Sequence, residues 1–197
     1  MANESQKVLR HAGVDRLFHW ITAVTMALLL ATSLLPLLGV RFAWYAVHWV
    51  AGLVLTVIIL LHMVRALFWQ KPGSMLLISA ADFSPHRAGK YTLPQKLMHL
   101  AWALAVLVAI VTGLLLLRKA GVPFLERDPY ARTLAAWGVI TLLHDLAALL
   151  SVFLVLVHVY FGILPEKRAY LRAMVTGFIT RAELKPEHDL EKVERGD

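Results

Sequence analysis

The stretch TLAAWGVITLLHDLAALLSVFLVLVHVYFGIL, Thr133 to Leu164, fixes the reading of the rest of the chain. At about 1.5 Å of rise per residue it is long enough to cross a hydrocarbon core of about 30 Å as one helix. Inside it stand two histidines, His144 and His158, fourteen residues apart. Fourteen helical steps fall about 40° short of four full turns, so both imidazoles leave nearly the same face, about 21 Å apart along the axis. Ionisable side chains at membrane depth are costly, and two on one face at opposite depths ask for two internal partners.

Working outward, three further runs of the same kind precede it: Leu17 to Val40, Phe42 to Val64 and Leu97 to Leu117. Within these four spans Asp145 is the only acidic residue. The 197 residues are 59% apolar with a mean hydropathy of +0.65, which excludes an ordinary soluble domain and predicts an all-α integral membrane four-helix bundle. The first run is too long for a cleavable signal peptide and lacks a small-residue cleavage site. There is no cysteine, so neither a disulfide framework, an iron–sulfur cluster nor a thioether-linked haem is expected in this chain.

The basic residues give the orientation. Fifteen of the twenty lysines and arginines lie before the first span, between spans two and three, or after span four, against five in the other loops: Arg41, Arg118, Lys119, Arg127 and Arg132. Both termini are therefore expected in the cytoplasm of a bacterium, with the protein in its inner membrane. The net charge of +7 reads as a topology signal and an attraction to anionic lipid, with no nucleic-acid partner implied. The chain divides into a polar N-terminal tail, 1–16, expected to be mobile, a four-span domain, 17–164, and a cytoplasmic segment, 165–197. In that segment Tyr170, Leu171, Met174, Val175 and Phe178 recur at helical spacing, as in a helix lying on the membrane surface. From Lys185 onward the tail is expected to be disordered. Pro36 is expected to bend or end the first span. The loop from Gly73 to Lys96 is long for a helix connection and so a candidate functional segment.

The topology sorts the nine histidines by depth. His11, His86 and His188 fall outside the spans; His48 and His144 lie near the outer face; His19, His62, His99 and His158 lie near the inner face. A haem iron bound by two imidazoles needs ligands at equal depth from two helices, which pairs His48 with His144. The inner pairing stays open. His62 repeats, relative to His48, the fourteen-residue spacing of the fourth span, which favours His62 with His158; His19 with His158 fits the depth equally well. Gly52, one turn beyond His48, leaves room for a flat ring to approach the helix backbone.

Taken together, Arg16-x-x-His19-Trp20, His48-x-x-x-Gly52 with Val64-Arg65, Gly89-Lys90-Tyr91-x-x-x-Gln95-Lys96 leading to Val111-Thr112-Gly113, and His144 with His158 and Tyr160 resemble the cytochrome b (gamma) subunit of membrane-bound formate dehydrogenases. The resemblance covers nearly the whole chain and lies within a wider group that includes hydrogenase and stand-alone bacterial cytochromes b. It implies two b haems, the outer held by His48 and His144 and the inner by His19 and His158. It also implies a quinone site on the cytoplasmic side, for which Tyr91, Thr92, Gln95, His99 and His62 are the candidates. Thr92 departs from the family pattern, offering a hydroxyl where an asparagine amide is expected.

The function so implied is an oxidoreductase subunit that passes electrons from an iron–sulfur subunit and a catalytic dehydrogenase subunit at the outer face through two haems to quinone. Two other readings predict different observations. A stand-alone di-haem cytochrome exchanging electrons between superoxide or another donor and quinone would purify without an iron–sulfur partner. A proton-coupled transporter with a histidine relay would show no visible absorption.

Overall fold

The computed structural model describes residues 4–69, 73–83 and 91–184. Four long helices dominate it: α1 (Gly13–Leu37), α2 (Trp44–Trp69), α4 (Leu93–Ala120) and α5 (Leu134–Ile163). All four are long and apolar enough to cross a membrane, and only 11–17% of each apolar window is buried within the protein. Most of their leucine, valine and phenylalanine surface therefore faces outward, the arrangement expected where lipid is the solvent. The fold is an all-α integral membrane four-helix bundle.

Short elements complete the order. Strand β1 (Lys7–Leu9) precedes α1, and α3 (Gly73–Leu76) and a 3-10 turn (Ala80–Phe83) lie between α2 and α4. A second 3-10 turn (Pro165–Lys167), α6 (Arg168–Thr176), β2 (Phe178–Thr180) and α7 (Arg181–Leu184) follow α5. Helix α1 begins four residues earlier than the hydrophobic run suggests, and Pro36 stands one residue from its end, so it finishes the helix rather than bending it. Gly39, with φ +83°, makes the tight turn toward α2 that an L side chain would resist.

The chain forms two compact units, whose boundaries cut each long helix once. The first contains residues 1–20, 61–101 and 156–197. In it the expectation of a mobile N-terminal tail fails: β1 pairs antiparallel with β2, matching Lys7 with Thr180 and Leu9 with Phe178. The helical pattern read through Phe178 stops at Thr176, because Gly177 takes a left-handed φ of 94° as the C-cap of α6. A Cβ there would stand 3.1 Å from the His11 carbonyl oxygen, and the amides of Arg10 and His11 donate to the Gly177 carbonyl. Ala173, Ile179 and Leu184 make a small core with Val8, Ala169 and Tyr170 against it. Arg16 and Trp20 donate from α1 to the carbonyls of Val175 and Met174, which α6 cannot satisfy internally.

The second unit contains residues 21–60 and 102–155. Its core joins Met26 of α1, Leu55 of α2 and Val106 of α4, with Leu29, Leu30, Ile59, Trp102 and Ile110 packed around them. The connection between α4 and α5 is fastened at several points. Tyr45 donates to the Gly121 carbonyl at 2.6 Å, Trp137 to that of Pro129 at 2.7 Å, and Arg118 pairs with Asp128 at 3.3 Å. Residues Gly89, Lys90, His86 and His188, and the tail from Lys185, lie outside the described residues.

Candidate functional site

Two pairs of imidazoles form, one in each unit. In the second unit α2 and α5 bring His48 and His144 together with ring centroids 6.2 Å apart and planes at 72°. In the first, α1 and α5 bring His19 and His158 together at 6.1 Å and 49°. A metal–nitrogen bond of about 2.0–2.1 Å, plus roughly 1.1 Å from nitrogen to ring centre, sets two imidazoles on opposite sides of one metal ion with centroids about 6.3 Å apart. Both observed separations are close to that value. Among the described residues no group of three or more His, Asp or Glu side chains is gathered to hold a bare ion. A haem carries four equatorial nitrogens of its own and asks the protein for axial ligands only, so a pair of neutral imidazoles is the donor set that suits it. The residues present fit two such groups.

The His48–His144 pair is held from behind. Thr32 Oγ1 lies 2.8 Å from His48 Nδ1, and Thr112 Oγ1 lies 2.9 Å from His144 Nδ1. Both threonines are buried, at 3% and 5% exposure, in the helices preceding those that bear the histidines. Gly113 follows Thr112 for a reason of space: a Cβ there would stand 3.2 Å from His144 Cε1. Gly52 differs, since a Cβ there would meet only Leu29 Cδ2 at 4.0 Å, leaving the helix face open beside His48. No side chain among the described residues hydrogen-bonds the rings of His19 or His158.

His62, which the fourteen-residue spacing pairs with His158, stands elsewhere. Its ring packs edge-on against Phe18 at 5.8 Å. It lies within electrostatic reach of His99, Arg65 and Asp15, and Arg65 donates to the Asp15 carboxylate. The sequence spacing had no way to register that His19, from α1, takes the place beside His158.

The remaining quinone candidates gather at the start of α4. Thr92 stands at the N-cap of α4, and the Gln95 side-chain oxygen accepts from the Thr92 amide at 3.0 Å, one half of a capping box. Tyr91 lies under the Arg10 guanidinium, 5.7 Å from ring centroid to Cζ. Lys96 is buried and donates to the Asp82 carboxylate and the Leu77 carbonyl, both at 2.9 Å. Burial alone would push the Asp82 carboxyl up, but the Ser79 amide, the Lys96 ammonium and the Ser79 hydroxyl hold it below its ordinary value. These contacts fasten the segment from Leu77 to Asp82 to the first turn of α4. Asp145, beside His144 in sequence, is exposed.

Sequence reasoning assigned no role to Thr32, and took Thr112 only as part of a motif. The one available signal is that both are hydroxyl residues inside apolar helices, a sign shared with Thr25, Ser33, Thr56, Thr141 and Ser151, which bond only their own helix backbone.

Comparison with known proteins agrees with this geometry at the level of family. No curated protein matches the chain. The family profile described as prokaryotic cytochrome b561 matches residues 10–177, which include α1 to α6 and both imidazole pairs. The chain belongs to the prokaryotic cytochrome b561 family, and is a multi-pass protein of the bacterial inner membrane that binds haem b and serves electron transfer.

Proposed function

We propose that this chain is the quinone-reducing cytochrome b subunit of a respiratory oxidoreductase of the formate dehydrogenase kind. It takes electrons from an iron–sulfur subunit docked, with its catalytic dehydrogenase partner, at the periplasmic face and delivers them to quinone near the cytoplasmic face. The observation that carries this reading is the presence of two imidazole pairs, 6.1 and 6.2 Å between centroids, sharing α5.

In this reading His48 and His144 hold one b haem and His19 and His158 the other. A haem held by each pair would supply one-electron redox chemistry, and two imidazole ligands suit electron transfer better than oxygen activation. The helices contribute a low-dielectric, water-poor setting around each pair. On the quinone side, the Thr92 hydroxyl and the Gln95 amide nitrogen remain as hydrogen-bond groups after the capping bond is made, and Tyr91 adds a phenol. Reduction of one quinone consumes two electrons and two protons. His62, beside the Asp15–Arg65 pair, and His99, within electrostatic reach of His62, are the groups that would relay those protons from the cytoplasm. The exposed Tyr130, in the connection between α4 and α5, and Leu134, at the start of α5, offer apolar contacts for the periplasmic partner.

The test is haem quantitation with a reduced-minus-oxidised visible spectrum on the purified protein and on His19→Ala and His62→Ala. Two b haems per chain are expected, falling to one in the His19 variant and staying at two in the His62 variant. Loss in the His62 variant would move the second haem to a different pair, and wild type without haem would overturn the reading. Co-purification with an iron–sulfur subunit supports the complex; a chain that purifies alone and passes electrons from a small-molecule donor to quinone is a stand-alone cytochrome instead.

A further inference from the structure

The threonines behind His48 and His144 repeat one another atom for atom. Thr32 Oγ1 reaches the carbonyls of Leu28 and Leu29 at 2.8 and 2.9 Å, four and three residues back, together with His48 Nδ1 at 2.8 Å. Thr112 Oγ1 reaches the carbonyls of Val108 and Ala109 at 2.6 and 3.2 Å, again four and three residues back, together with His144 Nδ1 at 2.9 Å. One hairpin, α1–α2, supplies the first copy and the other, α4–α5, the second.

A hydroxyl has one proton to donate. In both copies the neighbouring carbonyls can only accept, so the threonine proton goes to them and its oxygen meets the imidazole with a lone pair. The ring nitrogen facing it must then carry the hydrogen. That leaves Nε2 as the one nitrogen of each ring with a free lone pair for a metal. We propose that Thr32 and Thr112 are positioning residues that lock His48 and His144 in the Nδ1-protonated form, aim Nε2 at the haem iron, and set that haem apart from the one at His19 and His158. The inference rests on the haem-ligand reading above and adds to it a fixed tautomer and an electronic consequence. A hydrogen bond accepted from the ligand's outer N–H makes the imidazole a stronger donor, which favours the oxidised metal. Among the described residues His19 and His158 have no equivalent acceptor side chain.

The experiment uses the purified, haem-loaded protein and the variants Thr32→Val, Thr32→Ser, Thr112→Val and Thr112→Ser. Valine keeps the shape and removes the oxygen; serine keeps the oxygen. Redox titration of each haem and low-temperature electron paramagnetic resonance of the oxidised form are the readouts. In each valine variant one of the two haems is expected to move to a more positive midpoint potential with an altered resonance signature, while the other stays at its wild-type values. Haem affinity at that site is expected to fall about 10- to 100-fold, and serine to restore both readings toward wild type. A valine substitution that lowers yield without changing the potential or signature of the haem it retains assigns the threonine to helix packing alone and overturns the proposal. Unchanged potentials in all four variants do the same. If wild type carries two haems and the valine variants behave as wild type, this inference fails while the ligand assignment stands; wild type without haem overturns both.

Discussion

Gly113 and Gly52 make different demands at the residue scale, and a single methyl group separates them. At Gly113 the methyl would crowd His144 Cε1 at 3.2 Å, next to the Nδ1 that stands 2.9 Å from Thr112 Oγ1, so the ring can yield only by straining that contact. Helix propensity favours alanine over glycine by about 1 kcal/mol, whereas overpacking costs about 1–3 kcal/mol, so Gly113→Ala is expected to displace the ring rather than the helix. With two haems held as proposed, haem content should fall toward one per chain, with the spectrum of the haem proposed for His19 and His158 retained. At Gly52 the protein itself leaves room, with the nearest atom at 4.0 Å. Loss of haem from Gly52→Ala would therefore report the porphyrin face itself, and the pair of variants, scored by haem per chain, separates steric pressure on a ligand from steric pressure on the ring it binds. The histidines were legible in the sequence because period and depth are properties of single helices. Thr32 was not, because its meeting with His48 depends on how α1 and α2 are rotated against each other across the turn at Gly39, and spacing along one helix does not encode that.

Short elements that close on each other across the length of the chain mark the limit of sequence reading at the element scale. The four long helices follow from uninterrupted apolar runs. The β1–β2 pair does not, since three-residue strands with 168 residues between them carry no periodic signal. One local signature was present: Thr180-Arg-Ala-Glu183 has the form of a capping box, and in the structure Glu183 Oε2 accepts from the Thr180 amide at 3.0 Å and hydroxyl at 2.8 Å. Arg172 of α6 donates to the same carboxylate at 2.6 and 2.7 Å. The Arg172 guanidinium, followed by the Thr180 amide, holds the Glu183 carboxyl down to about 2, against an ordinary value of 4.5. A depressed carboxylate stabilises the fold fully above its unfolded value, and that contribution disappears as pH falls through its folded value. The tie between α6, β2 and α7 is therefore expected to be complete above pH 4.5 and to weaken progressively toward pH 2. Hydrogen exchange at the amides of Ile179 and Thr180, corrected for the intrinsic rate, should show protection falling across that window in wild type. In Glu183→Gln the protection should already be lower at neutral pH and should change less with acid.

The pairing of β1 with β2 has a consequence for the whole molecule, because it ties the segment before α1 to the segment after α6. An even number of spans requires both ends of the chain on one side of the membrane, and the strand pair satisfies that requirement by direct hydrogen bonding. Which side is a question of charge. Fifteen of the twenty lysines and arginines lie in the segments on the side of the termini, and an excess of this kind marks the cytoplasmic face. The side matters for energy conservation as well as for topology. In the proposed reading, termini on the inside would let the His62–His99 cluster and the start of α4 draw protons from the cytoplasm while electrons enter at the connection between α4 and α5, so that each quinone reduced would separate charge across the membrane. Reporter fusions decide it. Alkaline phosphatase, active only in the periplasm, is expected to be silent after Asp197 and active after Glu126, and a fluorescent protein that matures in the cytoplasm is expected to give the opposite pattern. The reverse pattern would place the quinone-side residues in the periplasm and the connection between α4 and α5 in the cytoplasm, so that electrons would cross outward and turnover would draw on the membrane potential instead of adding to it.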